Sequence, residues 1–196
     1  GFGEIPYPFT DAQRMWALIF IYITVATWVY TIGTLIRLWQ NETLQKALAE
    51  HRFQRQVRQI SEPFFVVCGY GNTGSRLVKS LRKRLIRASV LDLKQDRIDA
   101  LMLAEHPLFL PGLQADASTP RNLVLAGIMH PKCKSVVALT DDNAVNLHIA
   151  ITVKVLNPEL KVICRADSHE IEANMASFGT DAIIDPFDSF AKDLGL

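Results

Sequence analysis

The feature that most limits what this chain can fold into lies between Phe64 and Leu85. Phe64-Phe65-Val66-Val67-Cys68 are apolar and partly β-branched, the make-up of a strand buried on both faces of a parallel sheet. Gly69, Gly71 and Gly74 follow at G-x-G-x-x-G spacing, with Tyr70, Asn72 and Thr73 between them, and Ser75 to Leu85 has helical periodicity. The first glycine permits a tight turn, the second lets backbone approach a pyrophosphate, and the third lets helix pack closely on strand. Phosphate would sit on the N–H groups that open the helix, where the helix dipole favours negative charge. A second apolar run, Ala88 to Leu91, ends in Asp92-Leu93, roughly the ~20 residues downstream where a ribose-binding acid is expected. The order strand, glycine turn, helix, strand, acid predicts dinucleotide-type geometry. The same residues also fit a structural turn beside an unused site, with Asp92 capping the next helix.

Strand and helix patterns keep alternating after this unit. A helix is expected around Asp96 to Ala104, and a third strand over Pro107 to Gln114, ending in Ala115-Asp116-Ala117-Ser118. Pro120 to Gly127 reads as a helix with Thr119 as its cap and proline at its first position. Ser135 to Leu139 is a fourth strand ending in Thr140-Asp141-Asp142-Asn143, followed by a helix over Ala144 to Leu156. Val162 to Ala166 is a fifth strand, His169 to Phe178 a helix, and Ala182 to Ile184 a sixth strand. The pattern predicts an α/β fold, a doubly wound, Rossmann-like parallel sheet with helices on both faces. Ligands of such sheets bind beyond the carboxyl ends of the strands. Gly69 to Gly74, Asp92, Asp116 to Ser118 and Thr140 to Asn143 gather there.

Ahead of this domain, Met15 to Ile36 is a run of 22 residues without a charge. At ~1.5 Å per residue it reaches ~33 Å, enough for a bilayer core of ~30 Å. Trp16 and Trp39 flank it as candidate interfacial anchors, and its length and flanks read as a span rather than a secretory signal. Glu4, Asp11 and Arg14 precede it; Arg37, Lys46, Arg52, Arg55 and Arg58 follow, so the positive-inside bias puts the remainder in the cytoplasm. Thr24, Thr27, Thr31 and Thr34 recur at steps of three and four, which places four hydroxyls on one helical face. That face suits neighbouring helices or a water-filled cavity, although threonine also satisfies itself on the carbonyl one turn back. Gln40 to Glu62 reads as a polar linker helix, with Leu44, Ala47 and Leu48 as its apolar positions, closed by Glu62-Pro63. Its bases form either a solvated face or a contact with anionic lipid.

A net charge of +1 gives no global attraction to nucleic acid. Cys68, Cys133 and Cys164 are odd in number and widely spaced, which reads as reduced thiols of a cytosolic core without a zinc or redox pair. No starting methionine is present, and position 1 falls inside a motif, so the chain reads as part of something longer.

With these residues in view, nearly the whole chain resembles the bacterial potassium channels that carry a cytoplasmic RCK (TrkA-N type) domain. Gly1-Phe2-Gly3-Glu4 is similar to the end of a potassium selectivity filter, and Ala12 to Trp39 to the pore-lining inner helix. Cys-Gly-Tyr-Gly from Cys68, Ala-Asp-Ala-Ser from Ala115, Thr-Asp-Asp-Asn from Thr140 and Leu-Asn-Pro-Glu-Leu from Leu156 stand in the family's order. The resemblance implies residues 1–11 as filter end and extracellular turn, 12–39 as inner helix, 40–62 as linker and 63–196 as the nucleotide-binding domain. It further implies a non-enzymatic homotetramer in the inner (plasma) membrane, with paired cytoplasmic domains, the lipid bilayer as surroundings and no nucleic acid partner. Filter carbonyls of Gly1, Phe2 and Gly3 would replace the hydration shell of K⁺, the transported ion, and Thr24, Thr27, Thr31 and Thr34 would line the pore. An adenine nucleotide (NAD/NADH, or AMP, ADP or ATP) would bind at Gly69, Tyr70, Gly71, Asn72, Thr73, Gly74, Asp92, Leu93, Asp116, Ala117, Thr140 and Asp141 and gate it; no resident metal is implied. Two positions depart from the family: Ala26 stands where a hinge glycine is frequent, and Asn72 where many relatives place a phosphate-reaching arginine.

Two other classes fit parts of the chain. A regulatory NAD-binding domain of a potassium antiporter or uptake system shares the nucleotide fold. An NAD-dependent oxidoreductase would need catalytic groups, and His51, His106, His130, His148 and His169 form no cluster in sequence. Thr140-Asp141-Asp142 fits either a divalent ion or solvated loop acids.

Overall fold

The computed structural model describes residues 10–104, 108–166 and 180–184, and the chain divides into two compact units, Gly1–Leu48 and Ala49–Leu196. The filter-like residues Gly1, Phe2 and Gly3 and the helix expected over His169 to Phe178 lie outside the described residues.

In the first unit, the uncharged run forms one helix, α1 (Asp11–Trp39), with no buried residue and with the length and composition to cross a membrane. Each threonine hydroxyl on its polar face donates to the carbonyl one turn back: Thr24 to Phe20 at 2.7 Å, Thr27 to Ile23 at 2.8 Å, Thr31 to Thr27 at 2.7 Å and Thr34 to Tyr30 at 2.9 Å. These hydroxyls therefore need no second helix to satisfy them. After Gln40, the Asn41 side chain accepts the Thr43 N–H at 3.0 Å and opens α2 (Glu42–Arg58), within which the division between the units falls.

In the second unit, β1 (Phe64–Cys68), β2 (Arg87–Asp92), β3 (Gly112–Gln114), β4 (Cys133–Ala138), β5 (Lys161–Arg165) and β6 (Ala182–Ile184) form a parallel sheet in the order β3-β2-β1-β4-β5-β6. This is the doubly wound, Rossmann-type order. The chain moves outward from β1 to β3 and returns to β4 on the other side, so the strand order reverses between β1 and β4. Helices α3 (Asn72–Lys83), α4 (Gln95–Leu103), α5 (Pro120–Ala126) and α6 (Asn143–Leu156) connect the strands. Alternation along β1 sends Phe64, Val66 and Cys68 into one core cluster and Val67, with Val78, Val90, Ile98 and Leu101, into the other.

Two elements differ from expectation. Of the third strand expected over Pro107 to Gln114, Pro107 lies outside the described residues and the strand observed is Gly112–Gln114. Pro111 has no N–H to give a ladder; its carbonyl instead takes the Val90 N–H at 2.9 Å, while Leu108 and Leu110 fill the core from irregular backbone. The apolar run thus reports burial rather than pairing. In α2 the buried positions are Phe53 and Val57, each 2% exposed, whereas Leu44 and Leu48 are exposed. The helix stops at Arg58, before Glu62-Pro63, because Ile60 turns in against the Phe53–Val57 cluster and Glu62 reaches Nε of Arg87 at 2.9 Å.

Candidate functional site

The carboxyl end of β1 runs into Gly69, whose φ of +99° belongs to the left-handed region. A Cβ there would lie 2.8 Å from the Leu139 carbonyl oxygen and 2.9 Å from the Thr140 nitrogen, so both conformation and space demand glycine. Its N–H donates to the Leu91 carbonyl at 2.8 Å, and the next N–H, of Tyr70, donates to Oδ2 of Asp92 at 2.6 Å. The turn is therefore clamped onto the end of β2. Gly74, in the first turn of α3, sits where a Cβ would fall 2.0 Å from the Gly69 carbonyl oxygen. That contact lets α3 start directly against the strand end, with the N–H groups of its first turn lacking intrahelical acceptors. Gly69 and Gly74 thus have the turn and packing roles their spacing implies.

Asp92 is 4% exposed, yet its carboxylate is well satisfied. Oδ2 takes the Tyr70 N–H and lies 3.3 Å from Nη1 of Arg97; Oδ1 accepts the Lys94 N–H at 2.8 Å. Arg97, in the first turns of α4, also reaches across the sheet reversal, with Nη2 3.7 Å from Oδ2 of Asp141. Arg165, at the end of β5, approaches the other oxygen of Asp141 at 3.3 Å. A ladder Asp92–Arg97–Asp141–Arg165 therefore bridges the two halves of the sheet. Burial acts to lower the Arg97 pKa, but the hydrogen bond to Asp92 and the charges of Asp92, Asp141 and Asp96 outweigh it and raise the pKa above the usual arginine value.

The loop carrying Asp141 is pinned from below. Asn146, fully buried in α6, accepts the Thr140 N–H at 3.0 Å and the Thr140 hydroxyl at 2.7 Å. Its amide nitrogen donates to the carbonyls of Thr140 at 3.1 Å and Arg165 at 3.2 Å. Asp142 caps α6 by accepting the N–H groups of Ala144 and Val145. Beyond β3, Asp116 closes its own turn on the Ser118 N–H at 2.8 Å and hydroxyl at 2.7 Å.

These loops enclose a cleft of about 420 Å³, a size that suits a small-molecule ligand. Of the residues singled out in the sequence, Gly69, Asp92, Leu93, Asp116, Ala117, Thr140 and Asp141 line it. Tyr70 contributes its backbone N–H while its ring packs on a core cluster. Gly71 and the first-turn residues Asn72, Thr73 and Gly74 stand outside the lining, and Thr73 faces an apolar groove with Phe65 and Leu77. The sequence reading missed Lys94, Arg97, Arg165 and Asn146. Arg97 follows Asp92 by five residues, one turn into the next helix, and Asn146 interrupts an otherwise apolar helix face; those were the available signals.

Burial pushes the Cys133 and Cys164 thiols up to about 12 and the Cys68 thiol further, so none is a nucleophile near neutral pH. Among the described residues, no group of three or more His, Cys, Asp or Glu is placed to hold a metal ion.

The TrkA-N domain model matches residues 65–186. An uncharacterized protein of Methanothermus fervidus is 27% identical over 195 residues, covering 99% of this chain and 29% of its own length. Potassium channel protein 1 of Methanocaldococcus jannaschii is 20% identical over 187 residues, covering 95% of this chain and 54% of its own length. The chain thus spans about a third to a half of the relatives it matches. Among solved structures, the TrkA-N domain of the inner membrane protein YbaL from Escherichia coli superposes with a TM-score of 0.61 at 20% identity, over 69% of this chain and 96% of that one. The GsuK channel bound to NAD gives 0.55 at 15% identity, over 94% of this chain and 32% of that one. The AMP-bound Shewanella denitrificans Kef carboxyl-terminal domain gives 0.56 at 20% identity, over 67% of this chain and 76% of that one. At such identities the superpositions speak for the fold.

Proposed function

The chain belongs to the TrkA-N domain family, and on that premise we propose that it is part of a potassium channel subunit whose cytoplasmic domain binds an adenine nucleotide and thereby gates the pore. One observation carries the choice of a channel. The match to potassium channel protein 1 covers 95% of this chain, which requires that it run beyond the domain at 65–186 and into α1. In this reading α1 is the inner pore helix, Thr24, Thr27, Thr31 and Thr34 face the ion pathway, and Gly1, Phe2 and Gly3 close the selectivity filter, whose carbonyls take the place of water around K⁺. Four chains surround the pore, and their cytoplasmic domains pair. Ribose hydroxyls bond Asp92, phosphate lies along Gly69 to Gly74, and the base lies toward Leu93, Asp116 and Ala117. Thr140 borders the phosphates from the far half of the sheet, and Asp141 stands next to it at the mouth of the cleft. The NAD and AMP named for the neighbouring structures support this ligand class. Gating follows if the nucleotide binds two arrangements of the domains with different affinity; the protein's role is regulatory transport rather than catalysis.

The likeness to the Kef domain favours one second reading, a nucleotide-sensing domain of a potassium antiporter. Reconstitution of the full-length gene product in liposomes separates the two. A channel gives passive K⁺ flux exceeding Na⁺ flux, altered by adenine nucleotide and unaffected by a proton gradient. Equal cation fluxes, or K⁺ movement only in exchange for protons, refute the channel reading.

A further inference from the structure

The glycine turn itself, Gly69 to Ser75, contains no cation, so charge complementary to a phosphate has to come from elsewhere. The geometry around Gly71 indicates where. A Cβ built on Gly71 would point at Nη1 of Arg97, 3.4 Å away, and at Oδ1 of Asp141, 3.7 Å away. This bare face is the one a second glycine offers to an approaching phosphate, and two charged side chains already occupy it. Asp141 is the group on which Arg97 and Arg165 converge, at 3.7 and 3.3 Å. The three differ in freedom: the side chains of Arg97 and Arg165 are 29% and 17% exposed, that of Asp141 69%.

We propose that Asp141 is an intramolecular stand-in for phosphate, holding Arg97 and Arg165 together beside Gly71 until the phosphate of an adenine nucleotide displaces it and takes over both guanidiniums. The proposal rests on the nucleotide reading above and adds the recognition and regulation of that site. Carboxylate and phosphate present the same acceptor geometry to guanidinium, which explains how one group substitutes for the other. An exposed ion pair contributes little free energy, so the carboxylate swings into solvent cheaply. Arg97 stays ordered meanwhile through Asp92 at 3.3 Å. Selectivity follows. Ligands bearing phosphate exchange one anion for another, whereas a bare nucleoside gains nothing from the arginines. Asp141 therefore sets a threshold for the phosphate-bearing ligand and keeps weak anions out.

The test measures dissociation constants for adenosine, AMP and ADP by titration calorimetry on the whole chain in detergent micelles, for the wild type, Asp141→Asn and Arg165→Gln. Arg97 is left intact because it also touches Asp92. Circular dichroism melts check that each variant is folded. Removing the competing charge in Asp141→Asn tightens AMP and ADP about two- to fivefold and leaves adenosine unchanged; Arg165→Gln weakens AMP and ADP about tenfold and also spares adenosine. If the wild type binds AMP and ADP but Asp141→Asn binds them no more tightly, or shifts adenosine equally, the stand-in role is overturned while the nucleotide site survives. If no form binds any of the three, the nucleotide reading falls and the stand-in role with it.

Discussion

Asn146→Ala is the substitution whose cost follows most directly from the structure. The wild-type amide is fully buried and serves four hydrogen bonds. The Thr140 N–H can only donate, so the oxygen of Asn146 must face it, and the nitrogen then meets two carbonyls. Truncation to alanine strands the Thr140 N–H and takes one donor each from the Thr140 and Arg165 carbonyls. A buried group that loses its partner costs ~1–3 kcal/mol. Because Thr140 is partly open to solvent, water relieves some of this, leaving a net loss of about 2–4 kcal/mol. For a unit of this size, that lowers the melting temperature by about 5–12 °C. The three tryptophans, Trp16, Trp28 and Trp39, all lie in α1, so indole fluorescence is silent on the second unit. The assay is a circular dichroism melt combined with amide hydrogen exchange, in which the Thr140 amide exchanges faster. Asn146→Asp is at least as destabilising, because it turns an oxygen towards the two carbonyls that now receive N–H. A melt within 1 °C of wild type, with Thr140 exchange unaltered, would refute the role assigned to this side chain.

Two further outcomes are expected. Gly71→Asp leaves the circular dichroism spectrum intact, because its Cβ meets only the ends of the Arg97 and Asp141 side chains, but it removes the rise in melting temperature produced by ADP; normal binding by this variant means that the phosphate position is wrong. The buried thiols make stability fall in alkali. Their folded pKa values, about 12 for Cys133 and Cys164, lie above the ordinary 9.0, so their contribution is complete below about pH 9 and is lost as pH climbs towards 12. The urea midpoint of the wild type therefore drops across that window, and Cys133→Ala/Cys164→Ala flattens the drop; rapid thiol labelling of folded protein at pH 8 would contradict the burial.

The sequence carried the sheet, the glycine turn and most of the cleft lining because each depends on local chemistry. A glycine at φ +99° and an acid at a strand end leave a mark within a few residues. Arg97 and Arg165 were not legible as partners, since 68 positions separate them in the chain and only the reversal of strand order brings them onto one carboxylate. Asn146 was hidden for a different reason. A single polar residue on an apolar helix face reads the same whether it bonds a loop or solvent, and its three backbone partners have no side-chain signature. The extent of β3 was misjudged because hydrophobicity marks burial, and Leu108 and Leu110 are buried without joining a ladder.

Phe53 and Val57 bear on how the second unit can be isolated. The conspicuous place to cut is Pro63, between the end of α2 and the first strand. A fragment starting there loses two side chains that are 2% exposed, opening the bed formed by Phe64 and Gly127, where Val57 approaches within 2.7 Å of the Cβ position. It also orphans Arg121, which pairs with Glu50. Burial of ~1.5–3 kcal/mol per large apolar side chain puts the loss at about 3–6 kcal/mol, a sizeable part of the ~5–15 kcal/mol that holds a typical domain together. A soluble piece with a closed interior has to begin upstream of Glu50, carrying most of the helix that looks, on sequence alone, like a dispensable tether.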